Sequence, residues 1–129
     1  MKIINLTQHP RTKEQKEAGV VDLEGKALAR LRNLLTFDTL PTPTDIHAIA
    51  QELALLGTGY DAAMIGGAPW LIPPMVRYLL ARDVTPMYAF SVRESEEITQ
   101  SDGSVTKTSV FKHKGFISAH PAIQPCTLF

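Results

Sequence analysis

Short unbroken apolar runs alternate along this chain with stretches whose apolar residues recur every three or four positions. That is the pattern of strands interleaved with helices. Residues 2–6 (Lys-Ile-Ile-Asn-Leu) predict a first strand, ended by the Thr7-Gln8-His9-Pro10 loop, where proline removes a ladder donor. Thr12 followed by Gln15 is a capping-box signature for a short helix to about Ala18, with Gly19 as its stop. Residues 20–23 (Val-Val-Asp-Leu) are too few to classify. Between Glu24 and Leu35 the apolar positions Ala27, Leu28, Leu31, Leu34 and Leu35 have helical spacing, although residues 34–37 also fit a brief strand. A further helix starts at Thr42-Pro43-Thr44-Asp45, carries the stripe Ile46, Ile49, Ala50, Leu53, Leu56 and stops at Gly57.

The second half holds the most informative unit, residues 60–91. The apolar run 60–65 breaks at Gly66-Gly67-Ala68-Pro69; a helix-like stretch follows from Pro73 to Arg82, then a second apolar run, 87–90. Strand, glycine-rich break, helix and strand predict a right-handed crossover in a parallel sheet. Past Phe90 two polar arms, 92–99 and 105–112, flank Ser101-Asp102-Gly103-Ser104, and Asp-Gly is a strong hairpin signal. The predicted fold is therefore α/β. It is a single Rossmann-like domain over residues 1–129, a small three-layer sandwich with a mostly parallel sheet. A C-terminal antiparallel hairpin (91–115) is appended to it, followed by a tail (116–129) that ends apolar at Leu128-Phe129 and is suited to docking on the body or a partner.

Composition narrows the function classes. Thirteen basic residues cancel thirteen acidic ones, so no global field favours extended nucleic acid or an anionic membrane. Cys126 is the only cysteine, which excludes an intramolecular disulfide and a cysteine zinc cluster. The histidines at 9, 47, 113 and 120 lack close metal-ligand spacing, so neither metal nor cofactor is expected. The start is too short and polar for a signal peptide, and the apolar region 64–75 is broken by glycines and prolines. The expected setting is the cytoplasm.

Ligands of parallel sheets bind outside the carboxyl ends of the strands, and the Gly66-Gly67 pair sits there. Glycines between a strand and a helix let backbone amides, Ala68 included, approach an anion. The spacing fits neither the dinucleotide fingerprint nor a Walker loop, and a tight turn that relieves a clash explains the glycines equally well. If the first strand lies beside the strand from Tyr60, then Thr7, Gln8, His9 and Thr12 open on the same crevice. Thr7 and Gln8 then offer hydrogen bonds and His9 a phosphate contact or proton transfer, whereas Thr12 is more simply a helix cap. Ser91 and Arg93 follow the crossover strand; a guanidinium suits phosphate, while Arg93 and Glu94 point to opposite faces of a continuing strand. Lys107, Lys112, His113 and Lys114 read as a solvated face, and Trp70 and Tyr88 as core or interface.

The opening Asn5-Leu6-Thr7-Gln8-His9-Pro10-Arg11-Thr12-Lys13-Glu14-Gln15 resembles the start of several small CRISPR-associated proteins related to the CARF type of Rossmann-like domain. Some of these are ring nucleases that bind and cleave cyclic oligoadenylate messengers, usually as homodimers with the messenger across the two-fold axis. The resemblance implies a homodimer of antiviral defence whose ligand site includes Thr7, Gln8, His9, Gly66 and Gly67. The resulting expectation is a protein that binds a phosphate-bearing small ligand or cyclic oligonucleotide, with slow metal-independent phosphodiesterase activity. In it Gly66, Gly67 and Arg93 hold phosphate, and His9 assists proton transfer. The alternative is a non-enzymatic interaction module that docks through the hairpin and tail.

Overall fold

The computed structural model describes residues 1–119; the distal tail, with His120, Cys126 and Leu128-Phe129, lies outside the described residues. Nine elements follow in order. They are β1 (Ile3–Asn5), α1 (Lys13–Glu17), β2 (Val20–Asp22), α2 (Gly25–Leu34), α3 (Pro43–Leu56), β3 (Ala62–Met64), α4 (Ile72–Leu80), β4 (Thr85–Thr99) and β5 (Val105–Ser118). They build one five-stranded sheet ordered β2-β1-β3-β4-β5. The first four strands are parallel, with Ile3 level with both Val20 and Ala62, and β5 closes the edge antiparallel to β4. The α/β class, the mostly parallel sheet and the C-terminal hairpin are as the sequence predicts.

Alternation along the strands builds two apolar layers. Ile4, Leu6, Ala63 and Ile65 face one side, where Leu31 and Leu34 of α2, Ala50 and Leu53 of α3, and Met75 and Leu79 of α4 pack on them. Ile3, Val20, Ala62 and Met64 face the other and form a smaller cluster with Met87 and Phe116. Right-handed crossovers explain the unequal layers. The chain steps from β1 outward to β2, then back over β1 to β3 and onward to β4, so α1 falls on one face and α2, α3 and α4 on the other. Met75 and Leu79 are fully buried, and truncation of either to alanine costs about 2–5 kcal/mol.

Local chemistry fixes the element ends. Thr12 Oγ1 accepts from the Gln15 N–H at 3.1 Å while Gln15 Oε1 accepts from the Thr12 N–H at 2.9 Å. Thr42 and Asp45 repeat this exchange, with Pro43 opening α3. Residues 34–37 are no strand: α2 runs to Leu34, and Leu35 donates to Leu31 O at 3.1 Å to finish the last turn. The apolar run 87–90 and the first hairpin arm, which look like separate units in the sequence, are one continuous strand, β4. Its partner β5 carries an extra residue opposite the Phe90–Ser91 step, so Phe90 faces Gly115 and Ser91 faces His113. Beyond that bulge the two strands leave the body as a two-stranded ribbon.

Candidate functional site

The helices that follow β1 and β3 leave the sheet on opposite faces, which opens a crevice between the carboxyl ends of these neighbouring strands. A cavity of about 470 Å³ occupies it. Its walls are the β1–α1 segment (Thr7, Gln8, His9, Pro10, Thr12), the β3–α4 turn (Gly66, Gly67, Ala68) and apolar side chains, among them Leu35, Phe37 and Tyr88. The structure thus brings together seven residues that the sequence singled out: Thr7, Gln8, His9, Thr12, Gly66, Gly67 and Ala68.

Ser91 and Arg93 are not brought there. Tyr88 lines the cavity from β4, and Arg93 lies five residues farther along the same strand. At about 3.3 Å per residue the separation is about 16 Å from Tyr88 and about 13 Å from Ala89, which also lines the cavity, so distance along the strand keeps Arg93 out of it. Its guanidinium instead stacks on the Phe111 ring, 5.3 Å from the centroid. The pairing of His9 with Arg93 is therefore not assembled within one protomer.

Asn5, which the sequence reading did not select, shapes the first wall. It ends β1 and is only 4% exposed. Its Oδ1 accepts from the Thr7 N–H at 2.9 Å and from Thr7 Oγ1 at 2.7 Å. Its Nδ2 donates to His9 O and to Asp22 Oδ1, both at 2.8 Å. One buried amide thus folds the chain from Thr7 to His9 into a tight loop and ties it to β2. The available signal was an asparagine inside an otherwise apolar strand run. Because of this network the Thr7 hydroxyl donates inward and keeps only acceptor capacity, while Gln8 Nε2 donates to Leu35 O at 2.9 Å. Thr12 Oγ1 is engaged in its helix cap. The exposed His9 side chain makes no hydrogen bond among the described residues and stands at the cavity lip.

The glycines of the second wall have different reasons. Gly67 adopts φ +114°, a conformation that L side chains rarely take, and a Cβ there would meet nothing within 4 Å. At Gly66 a Cβ would touch only Thr7 Cγ2, at an ordinary 3.6 Å. Gly67 therefore serves the tight turn through its backbone conformation, while Gly66 relieves no clash. The N–H groups of Gly66, Gly67 and Ala68 donate to no protein acceptor among the described residues. The helix behind them adds little. Residues 73 and 74 are both proline, so Ile72 alone keeps an N–H among the first three positions of α4. The loop itself, more than the helix end, supplies the donors.

Charge lies next door. A second hollow of about 330 Å³ shares the Thr7–Pro10 wall and is lined by Arg11, Asp22, Glu24 and Arg32. Arg11 Nη1 donates to Val20 O at 2.8 Å, and Asp22 accepts from the Arg11 N–H at 3.3 Å. Among the described residues no three His, Cys, Asp or Glu side chains converge as a metal site requires. None of the described helices is long and apolar enough to cross a membrane.

Residues 1–117, from before β1 to the penultimate residue of β5, match the description of one protein family. The chain belongs to the Uncharacterized protein MJ1673 family. The match takes in both walls of the cavity and nearly all of the ribbon, so cavity and ribbon lie within the family's matched span. No curated protein and no solved structure matches the chain.

Proposed function

We propose that the protein binds a nucleotide-like ligand, of the cyclic oligonucleotide class, at the carboxyl ends of β1 and β3, beside Tyr88 of β4, in the cytoplasm. The observation that carries this reading is the juxtaposition, in one crevice, of an apolar pocket with three loop amides that have no acceptor among the described residues. Its size falls in the range of roughly 300–1,000 Å³ typical of small-ligand sites. Leu35, Phe37 and Tyr88 offer a base an apolar, partly aromatic bed, and the Gly66, Gly67 and Ala68 amides offer a phosphate its donors. A ligand that crosses the Thr7–Pro10 wall meets Arg11 and Arg32 but also Asp22 and Glu24, so the choice of an oligonucleotide over a mononucleotide rests on the sequence resemblance. The resemblance of the segment Asn5–Gln15 to small CRISPR-associated proteins supports the same ligand class and a role in antiviral defence.

The reaction that suits these groups is slow, metal-independent transesterification. A ribose 2′-hydroxyl attacks the adjacent phosphorus and the 5′-oxygen leaves, which yields a 2′,3′-cyclic phosphate and a 5′-hydroxyl. One proton leaves the nucleophile and one reaches the leaving oxygen; His9, at the lip, is the residue placed to move it. The loop amides stabilise charge on the non-bridging oxygens. Thermal shift with AMP, linear diadenylate and cyclic tetra-adenylate tests binding. Ligand at 100 times its Kd adds about 2.7 kcal/mol of stability, and the cyclic compound is expected to give the largest shift. His9→Ala should retain that shift and lose product formation. If none of the three raises Tm at millimolar concentration, the reading fails.

A further inference from the structure

β4 and β5 stay paired from Met87↔Ser118 to Thr99↔Val105, but only the root of this ladder lies beside β3. From Glu97 to Lys107 every residue is exposed, and Phe111 is 68% exposed. A two-stranded ribbon with neither face covered is marginal in water, and a long unpaired edge is a template for another strand. One added strand on the outer edge of β5 removes both deficits.

We propose that this strand is β5 of a second copy, paired antiparallel about a two-fold axis normal to the sheet, so that two five-stranded sheets become one. The strand is chemically suited to its own image. Lys112 and Lys114 are paired with Glu96 and Glu94 of β4, each at 3.0 Å, which offsets part of the charge that would repel a like strand. An axis normal to the sheet pairs residues of equal parity. With the axis at Phe111, Val110 faces Lys112 and Ser109 faces His113, where the bulge at Lys114 ends the regular register, so no two lysines are opposed. The exposed Phe111 rings meet at the centre, each backed by the Arg93 that stacks on it. The pairing also fixes the relation of the two bodies. The ribbon rises from the carboxyl edge where the cavity opens, and antiparallel pairing turns the second body round to face it. Gly115, at the ribbon root, lies four residues from Phe111, about 13 Å at about 3.3 Å per residue. The two cavity-bearing edges therefore face each other across the joined ribbons.

Sedimentation equilibrium of the full chain is expected to give twice the protomer mass of 14.2 kDa. Phe111→Lys should return it to monomer with unchanged circular dichroism. Phe111→Cys in a Cys126→Ser background should oxidise to a covalent dimer, while Ser104→Cys at the ribbon tip should not. A monomer at 100 µM overturns the proposal and leaves the edge to a strand from another protein. A dimer indifferent to Phe111→Lys, or one that cross-links at position 104 and not at 111, overturns it as well. If Phe111→Lys does not fold, the two cysteine variants decide alone.

Discussion

Replacement of Asn5 by leucine keeps the number and branching of the side-chain heavy atoms and removes every polar one. Four hydrogen bonds disappear, at 2.7 to 2.9 Å. Their losses are unequal. His9 O still accepts from Thr7 Oγ1 at 3.2 Å, and Asp22 Oδ1 still accepts from the Arg11 N–H at 3.3 Å. The Thr7 N–H has no other acceptor among the described residues and is left unsatisfied in a half-buried place. Such an orphan costs about 1–3 kcal/mol, and each weakened partner loses a bond worth about 1 kcal/mol net. The better burial of leucine at a 4% exposed site offsets part of this, so the expected loss is about 2–3 kcal/mol. With an unfolding entropy of about 2.1 cal/mol/K per residue over 129 residues, Tm should fall by about 10 °C. Urea unfolding followed by circular dichroism reads the first number and a calorimetric scan the second. A second readout isolates the loop: amide exchange at residues 7–9 should accelerate more than exchange in α3. If Asn5→Leu lies within about 0.5 kcal/mol of wild type, its hydrogen bonds do not hold the loop, and the account of the cavity wall is wrong.

The neighbouring glycines should separate cleanly. Gly67→Ala is expected to cost about 1–3 kcal/mol, because its φ of +114° is strained for any side chain, whereas Gly66→Ala should cost less than about 0.5 kcal/mol; equal losses in denaturant titrations would contradict this assignment. A pH effect should appear at the start of α3. The Thr42 N–H, and secondly its hydroxyl, hold the Asp45 carboxyl below its ordinary value of 3.8. A depressed carboxylate stabilises the fold above its unfolded pKa and loses that contribution as pH falls through the folded one. The Asp45 part of acid destabilisation should therefore appear only below about pH 4, and a pH series on Asp45→Asn should lack it.

What was legible in the sequence is what is encoded locally. The capping boxes at Thr12 and Thr42 need only residues three apart, and both form. The crossover from β3 through α4 to β4 follows from one break between two apolar runs. β2 was not legible because three residues show no period; Val20–Asp22 is a strand only because Ile3–Asn5 lies beside it. Arg93 misled for the same kind of reason. Closeness to a strand end suggested the cleft, but β4 does not end there, and the continuing strand carries Arg93 about 13 Å beyond Ala89. Asn5 hydrogen-bonds with residues 7, 9 and 22, and nothing in a single sequence announces the last of these.

The paired prolines at the start of α4 bear on how long a ligand stays. A helix that begins with ordinary residues presents three free N–H groups to an anion; this one presents Ile72 alone and leaves the rest to a loop turned by one glycine at positive φ. Two missing donors, each worth about 1.5–3 kcal/mol to a charged group, leave the grip on the order of a hundredfold weaker or more. Because affinity differences within one site fall mostly on dissociation, the loss appears as a shorter residence time. If the proposed ligand binds, such a crevice would follow its concentration as it rises and falls, instead of storing it.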